Sequence, residues 1–195
     1  MFTGIITHTG EVVSKRGGRL GVKVSADIVR LLKTGASVSV DGACLTVTSR
    51  ARTSFEVDVM PETFRRTALG DRAVGNKVNM ELPIRPSGFI SGHIVQGHID
   101  GVGTIRKIKK EGNSYILTIE VPQKISRYLV GKGSVTVNGV ALTVIDSGTR
   151  SFTTGIIPHT WANTTLRSIS VGDAVNIEVD IIAKYVAKFA SVYEK

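Results

Sequence analysis

The chain has 195 residues, 42% of them hydrophobic and 21% charged, with a net charge of +9. That balance excludes a disordered chain, and no apolar run approaches the ~18 residues that cross a bilayer, which excludes a helical membrane protein. A single cysteine, Cys44, excludes an intramolecular disulfide.

In chain order, Met1-Phe2-Thr3-Gly4-Ile5 shows no charged leader ahead of an apolar core, so no signal peptide is expected, and a cytoplasmic protein fits best. Leu20, Val22 and Val24 alternate as in a strand, and a short helical turn is expected over Asp27–Lys33. Val38 and Val40, then Ala43, Leu45 and Val47, alternate around Asp41-Gly42, the signature of a tight hairpin with positive φ at both central residues. That alternation puts Cys44 and Thr46 together on the opposite face. Another helical turn is expected after Pro61. Pro83, Pro86 and Ser87-Gly88 interrupt the pattern, placing a boundary near Leu82–Gly92. Arg106-Lys107-Ile-Lys109-Lys110-Glu-Gly-Asn reads as a solvated turn between strands. No aromatic run accompanies it to stack bases, so nucleic-acid binding is not expected.

From there the first half recurs. Val74-Gly-Asn-Lys-Val-Asn-Met-Glu-Leu82 aligns with Val171-Gly-Asp-Ala-Val-Asn-Ile-Glu-Val179, and Asp41-Gly-Ala-Cys-Leu-Thr-Val47 with Asn138-Gly-Val-Ala-Leu-Thr-Val144, both 97 residues on. Pro61-Glu-Thr63 matches Pro158-His-Thr160 at the same spacing, with helical turns expected over Lys124–Val130 and after Pro158. Near the start of each copy the spacing falls to 93, pairing Gly4 with Gly97 and Gly10 with Gly103, as if four residues were inserted in the basic turn. Each copy therefore reads as one small closed barrel of short strands. The tail is different: Ile181, Ile182, Tyr185, Val186, Phe189, Val192 and Tyr193 recur at helical spacing, with Lys184, Lys188, Glu194 and Lys195 largely elsewhere. Such a stripe needs a partner surface, and other subunits are favoured over the chain's own barrel.

No nucleotide loop or metal-ligand spacing occurs, and His93 with His98 reads as a pair of hydrogen-bonded barrel residues. Differences between the copies are more telling. His98 stands where Ile5 does, Cys44 opposes Ala141, and His159 opposes Glu62, so two similar pockets with unequal roles are expected.

Met1-Phe-Thr-Gly-Ile-Ile6, Asp41-Gly-Ala-Cys-Leu-Thr-Val47, Met60-Pro-Glu-Thr63, Ser91-Gly-His-Ile-Val-Gln-Gly-His-Ile99, Asn138-Gly-Val-Ala-Leu-Thr-Val144 and Ile157-Pro-His-Thr160 together resemble the riboflavin synthase (α chain) family. The resemblance spans the whole chain. It implies an all-β fold, a tandem duplication of a small six-stranded Greek-key β-barrel with a C-terminal α-helix. The implied domains are lumazine-binding barrels over residues 1–88 and 89–180 and an oligomerisation helix over 181–195. It implies a transferase of riboflavin biosynthesis that dismutates two molecules of 6,7-dimethyl-8-ribityllumazine, without cofactor or metal, in a homotrimer. Association with lumazine synthase stays open.

By the same resemblance the first lumazine would meet Gly4, Ile5, Ile6, Cys44, Leu45, Thr46, Asp58, Val59, Met60, Pro61, Glu62 and Thr63. The second would meet Gly97, His98, Ile99, Lys132, Ala141, Leu142, Thr143, Gly155, Ile156, Ile157, Pro158, His159 and Thr160. His98 is the first candidate for acid–base work, Cys44 for nucleophile or proton donor, and Thr143 and Asp180 for support. Many family members carry serine where Ala141 stands. The alternative reading is a non-catalytic lumazine- or flavin-binding antenna or carrier of the same fold, which typically lacks the equivalents of Cys44 and His98.

Overall fold

The computed structural model describes residues 1–193, with the side chains of Val192 and Tyr193 left out. Those two stripe positions, and Glu194 and Lys195, lie outside the described side chains. Among the described residues twelve strands form two closed antiparallel barrels. The first holds β1 (His8–Arg16), β2 (Arg19–Lys23), β3 (Ser37–Val40), β4 (Ala43–Arg50), β5 (Ser54–Asp58) and β6 (Lys77–Glu81), neighbouring in the order β1-β2-β5-β4-β3-β6. The second repeats that order with β7 (Gly101–Glu111), β8 (Ser114–Glu120), β9 (Ser134–Val137), β10 (Val140–Ser147), β11 (Ser151–Ile156) and β12 (Ala174–Val179). Short helices α1 (Ala26–Leu31) and α2 (Pro61–Arg66) punctuate the first barrel, and α3 (Gln123–Ser126) and α4 (Pro158–Asn163) the second. Helix α5 (Ile181–Tyr193) follows both.

Local chemistry accounts for the barrels. Asp41 and Gly42 have φ of 45° and 84°, and Asn138 and Gly139 have 47° and 77°, so both two-residue turns adopt the left-handed geometry that matches strand twist. Strand alternation then buries Val38, Val40, Leu45 and Val47 in one core, and Val135, Val137, Leu142 and Val144 in the other. Register breaks recur at matching places, between Val12 and Ser14, Val47 and Ser49, Ile105 and Lys107, and Val144 and Asp146. Such bulges supply the extra bend that closes a small barrel.

One expectation is corrected. Arg106 to Lys110 do not form a turn; they lie within β7, and the turn is Gly112-Asn113. The β7–β8 hairpin has arms of eleven and seven residues, against nine and five for β1–β2, so four extra residues lengthen the ladder rather than its tip. The longer arms carry the lysines into solvent, while Ile108 and Tyr115 of the same ladder pack against the second core.

The barrels meet about a pseudo-twofold axis. Asn79 Nδ2 donates to the Asn138 carbonyl at 3.0 Å, and Asn176 Nδ2 to the Asp41 carbonyl at 2.8 Å. Asn79 Oδ1 accepts from the Thr165 amide at 2.8 Å, and Asn176 Oδ1 from the Ala68 amide at 2.6 Å. The two hairpin tips touch so closely that a Cβ on Gly42 would lie 2.7 Å from the Gly139 nitrogen. Both tips must therefore be glycine for two reasons, the left-handed φ and the contact.

Candidate active site at the seam between the barrels

The segments ahead of β1 and β7 do not stay with their own barrels. Phe2 and Val95 exchange backbone hydrogen bonds of 2.7 and 3.1 Å, and from that crossing each segment runs to the other barrel. Ile6 packs on the second core and Ile99 on the first. The Cys44 amide donates to the Gly97 carbonyl at 2.9 Å, and the Ala141 amide to the Gly4 carbonyl at 2.8 Å. Gly4 and Gly97 have φ of 76° and 81°, and a Cβ on either would lie within 2.6 Å of the Cβ of Ala141 or Cys44. Only glycine permits that approach.

This exchange groups the expected site residues differently in space than along the chain. Gly97, His98 and Ile99 belong with Cys44, Glu62 and Thr63, lining with Ala43, Arg66 and Thr67 a cavity of about 240 Å³. Gly4, with Ile5 and Ile6 following it, belongs with Ala141 of the second barrel. Equivalent residues in the two copies were matched correctly; the crossing means that neighbours in sequence serve opposite pockets.

Around the first pocket, Cys44 is half-buried and His98 exposed, on the side of β4 that faces away from buried Leu45. Thr46 pairs with Asp58 across β4 and β5, and Asp58 meets Arg19 at 3.1 Å. At the N-terminal end of α2, Glu62 meets Arg65 at 2.7 Å and Arg66 at 3.7 Å, and these neighbours hold its carboxyl below the usual range. Met60 and Pro61 are exposed beside it. Val59 and Leu45 turn their side chains into the core, as Ile156 and Leu142 do in the second barrel.

At the equivalent place on the second barrel, Thr143 lies on the exposed face of β10, its carbonyl accepting from the Thr154 hydroxyl at 2.8 Å. Gly155 pairs with Ile116, and Ile157, Pro158 and His159 are exposed at the start of α4, with Thr160 half-buried. Trp161 of α4 stacks on Tyr115 with ring centroids 3.8 Å apart. Phe64 holds the matching place in α2, under the Lys15 ammonium.

Two expected site residues fall elsewhere. Lys132, at φ 68°, is exposed and bonds through its amide to the Val144 carbonyl rather than to the Gly4–Ala141 contact. Asp180 caps α5, accepting from the Ile182 amide at 2.9 Å, and lines a groove of about 390 Å³ between α5 and the second barrel with Tyr128, Ser134 and Val186. Its charge acts on His93, whose pKa burial nonetheless lowers. Among the described residues no group of three or more His, Cys, Asp or Glu side chains converges as metal ligands would.

Sequence reasoning missed the residues that hold the crossing in place. Glu81 accepts from the Thr3 amide and hydroxyl at 2.7 Å and from the Gly4 amide at 2.9 Å. Its repeat equivalent, Glu178, accepts from the Gln96 amide at 2.8 Å and the Gly97 amide at 2.9 Å. Burial raises both carboxyls, Glu178 to about 7. The repeated Val-Asn-X-Glu run was the available signal. Arg66 was missed too, although its counterpart is the neutral Asn163.

The family model for the Lumazine binding domain matches residues 3–83 and 96–180, one match per barrel. Riboflavin synthase from Actinobacillus pleuropneumoniae is 42% identical over 97% of this chain and 89% of its own length. The chain belongs to the riboflavin synthase family. Riboflavin synthase from Mycobacterium bovis is 40% identical over 96% of this chain and 97% of its own length. Among solved structures, LumP complexed with riboflavin aligns with a TM-score of 0.83 at 26% identity, covering 92% of this chain and 99% of that one. LumP complexed with 6,7-dimethyl-8-(1'-D-ribityl) lumazine aligns at 0.82 with 24% identity, a likeness of fold. The riboflavin synthase resemblance read from the sequence motifs and the all-β tandem barrels with a C-terminal helix both stand.

Proposed function

We propose that each of the two pockets, in barrels spanning residues 1–88 and 89–180, seats one 6,7-dimethyl-8-ribityllumazine, and that the pocket holding Cys44 and His98 performs the proton transfers. The chain is an enzyme with the riboflavin synthase activity of its family: one lumazine gives up a four-carbon unit to another, forming riboflavin and 5-amino-6-ribitylamino-uracil. The observation that carries the site assignment is the Gly97–Cys44 hydrogen bond, because it brings His98 and Cys44 to one cavity.

The 7-methyl protons of the lumazine are acidic because the carbanion delocalises into an electron-poor ring. His98 can take and return such a proton, and Cys44 can add to or protonate the ring beside it. Arg66 supplies positive charge on the wall where the anion forms. Backbone groups of Leu45, Val59, Leu142 and Ile156 suit the imide-like ring edges, and Thr46, Asp58, Thr63, Thr143 and Thr160 suit the ribityl hydroxyls.

The reacting pair needs two rings face to face. Ile182, Tyr185, Val186 and Phe189 are each about 60% exposed on α5 at i, i+3, i+4, i+7 spacing, which supports a homotrimer formed through these helices. In such an assembly the first pocket of one subunit would face the second pocket of its neighbour, where Lys132 and Asp180 could contribute from outside the pockets of their own chain. A cytoplasmic location fits this reading, and no helix among the described residues is long and apolar enough to cross a membrane.

Mixing the purified protein with 6,7-dimethyl-8-ribityllumazine, without added cofactor, tests the assignment. Riboflavin at half the molar amount of lumazine consumed is the expected result. Tight binding without product would move the chain to the alternative reading, a non-catalytic lumazine- or flavin-binding antenna or carrier.

A further inference from the structure

The segment carrying His98 is anchored by a carboxylate on both flanks, whereas its counterpart carrying Ile5 has one on a single flank. Glu178, 2% exposed near the end of β12, grips the amides of Gln96 and Gly97, the two residues directly before His98. The Gly97 carbonyl accepts from Cys44, so one unbroken series of hydrogen bonds runs from the carboxylate to the cysteine. Past His98, Asp100 pins the other flank. One of its oxygens accepts from the Val179 amide at 2.9 Å and the other meets Lys184 of α5 at 2.7 Å. Its own amide donates to the Ile177 carbonyl at 2.9 Å. In the first half Glu81 repeats the grip on Thr3 and Gly4, but Thr7 stands where Asp100 does, and only its amide bonds to β6, reaching the Met80 carbonyl at 3.3 Å.

We infer that Glu178 is a positioning residue for catalysis, fixing His98 against Cys44 by holding both amides that precede it. This rests on the reading of His98 as the proton-transfer group. The chemistry of the grip is specific. A carboxylate offers an acceptor oxygen to each of two adjacent N–H groups, whereas a glutamine offers one acceptor and turns its NH2 toward the other N–H. Glu178→Gln therefore preserves volume while breaking half of the grip, and the loss should appear in the step that His98 performs. Glu81→Gln does the same to the segment carrying Ile5, which meets substrate without exchanging a proton, so its loss should appear in KM.

The test is a double-mutant cycle on riboflavin formation by the full chain above pH 7, where the Glu178 carboxyl is ionised. Glu178→Gln is expected to lower kcat by about tenfold or more with KM within about threefold. In a His98→Ala background the same substitution is expected to cost less than about twofold, because the group it positions is gone. Losses that multiply in the double variant, or a Glu178→Gln effect confined to KM, would overturn the inference. Should Glu178→Gln fail to fold, Glu178→Asp, which keeps the charge and retracts it by one methylene, is read through the same cycle. A wild-type chain that forms no riboflavin defeats the functional reading itself, whereas an active wild type with multiplying losses defeats only the role of Glu178.

Discussion

The two barrels share a strand order, a hairpin geometry and a buried glutamate, yet they differ at several of the places where chemistry could occur. Cys44 faces Gly97 where Ala141 faces Gly4; His98 follows one glycine and Ile5 the other; Glu62 and Arg66 edge one pocket where His159 and Asn163 stand in the other copy. Duplication supplied two equivalent frames, and only one carries both a cysteine and a histidine at the crossing. The difference teaches that the frame and the chemistry are separable here. What both copies keep closes barrels and holds the crossing, and what one copy keeps carries the chemistry in the function proposed above.

Breaking the comparison at its most unequal point should have the largest effect. His98→Ala is expected to lower kcat by about a thousandfold while lumazine binding changes only a fewfold, whereas Ile5→Ala should act mainly on KM; steady-state kinetics and ligand titration separate the two. An equal loss of binding and turnover in His98→Ala would reduce His98 to a shaping residue.

The seam offers the next contrast. Asp41 is fully buried and paired with Arg72 at 2.8 Å, and burial raises its carboxyl although Arg72 and the Asn79 amide pull it back. The other copy has neutral Asn138 and Ile169 at these places, and Asn138 Oδ1 still accepts from the Asn176 amide at 2.8 Å. Arg72→Ile alone should destabilise by about 4 kcal/mol in urea denaturation, because an unpaired buried carboxylate remains. Asp41→Asn combined with Arg72→Ile should return to within about 1 kcal/mol of wild type.

Glu178 gives a pH signature. Its carboxyl is raised from 4.5 to about 7, chiefly by burial. Below 4.5 both folded and unfolded chains carry the proton; between 4.5 and 7 only the folded chain does. Stability from this group is therefore fully present at low pH and lost as pH rises through 7, by about 3 kcal/mol at most. Glu178→Gln should remove that component from the pH dependence of unfolding, and an unchanged slope would contradict it.

The smallest effect is expected from making the copies more alike. Ala141→Ser restores the hydroxyl that many family members carry and should improve turnover or KM by about threefold, the worth of one modest hydrogen bond.

Local rules made much of this legible. Asp41-Gly42 and Asn138-Gly139 announced their turns because positive φ at two successive positions is a local demand, and the apolar spacing from Ile181 to Phe189 announced α5 because helical periodicity is local too. The basic run misled because polarity resembles a turn, while the ladder of β7 and β8 continues through it with the lysines in solvent. The crossing of Gly4 and Gly97 was not legible. An internal repeat shows which residues are equivalent and not which are near, and two copies related by a twofold axis can exchange equivalent segments without changing a residue. Glu81 and Glu178 were visible only as repeat markers, since their role exists once the segments they hold have crossed.

The most direct measurement converts the first pocket into a copy of the second. A Cys44→Ala, His98→Ile double variant is titrated with 6,7-dimethyl-8-ribityllumazine and assayed for riboflavin. The account predicts two lumazines bound per chain and riboflavin formation reduced by about a thousandfold or more. Riboflavin formed at the wild-type rate would place the chemistry outside the Cys44–His98 pocket and contradict it.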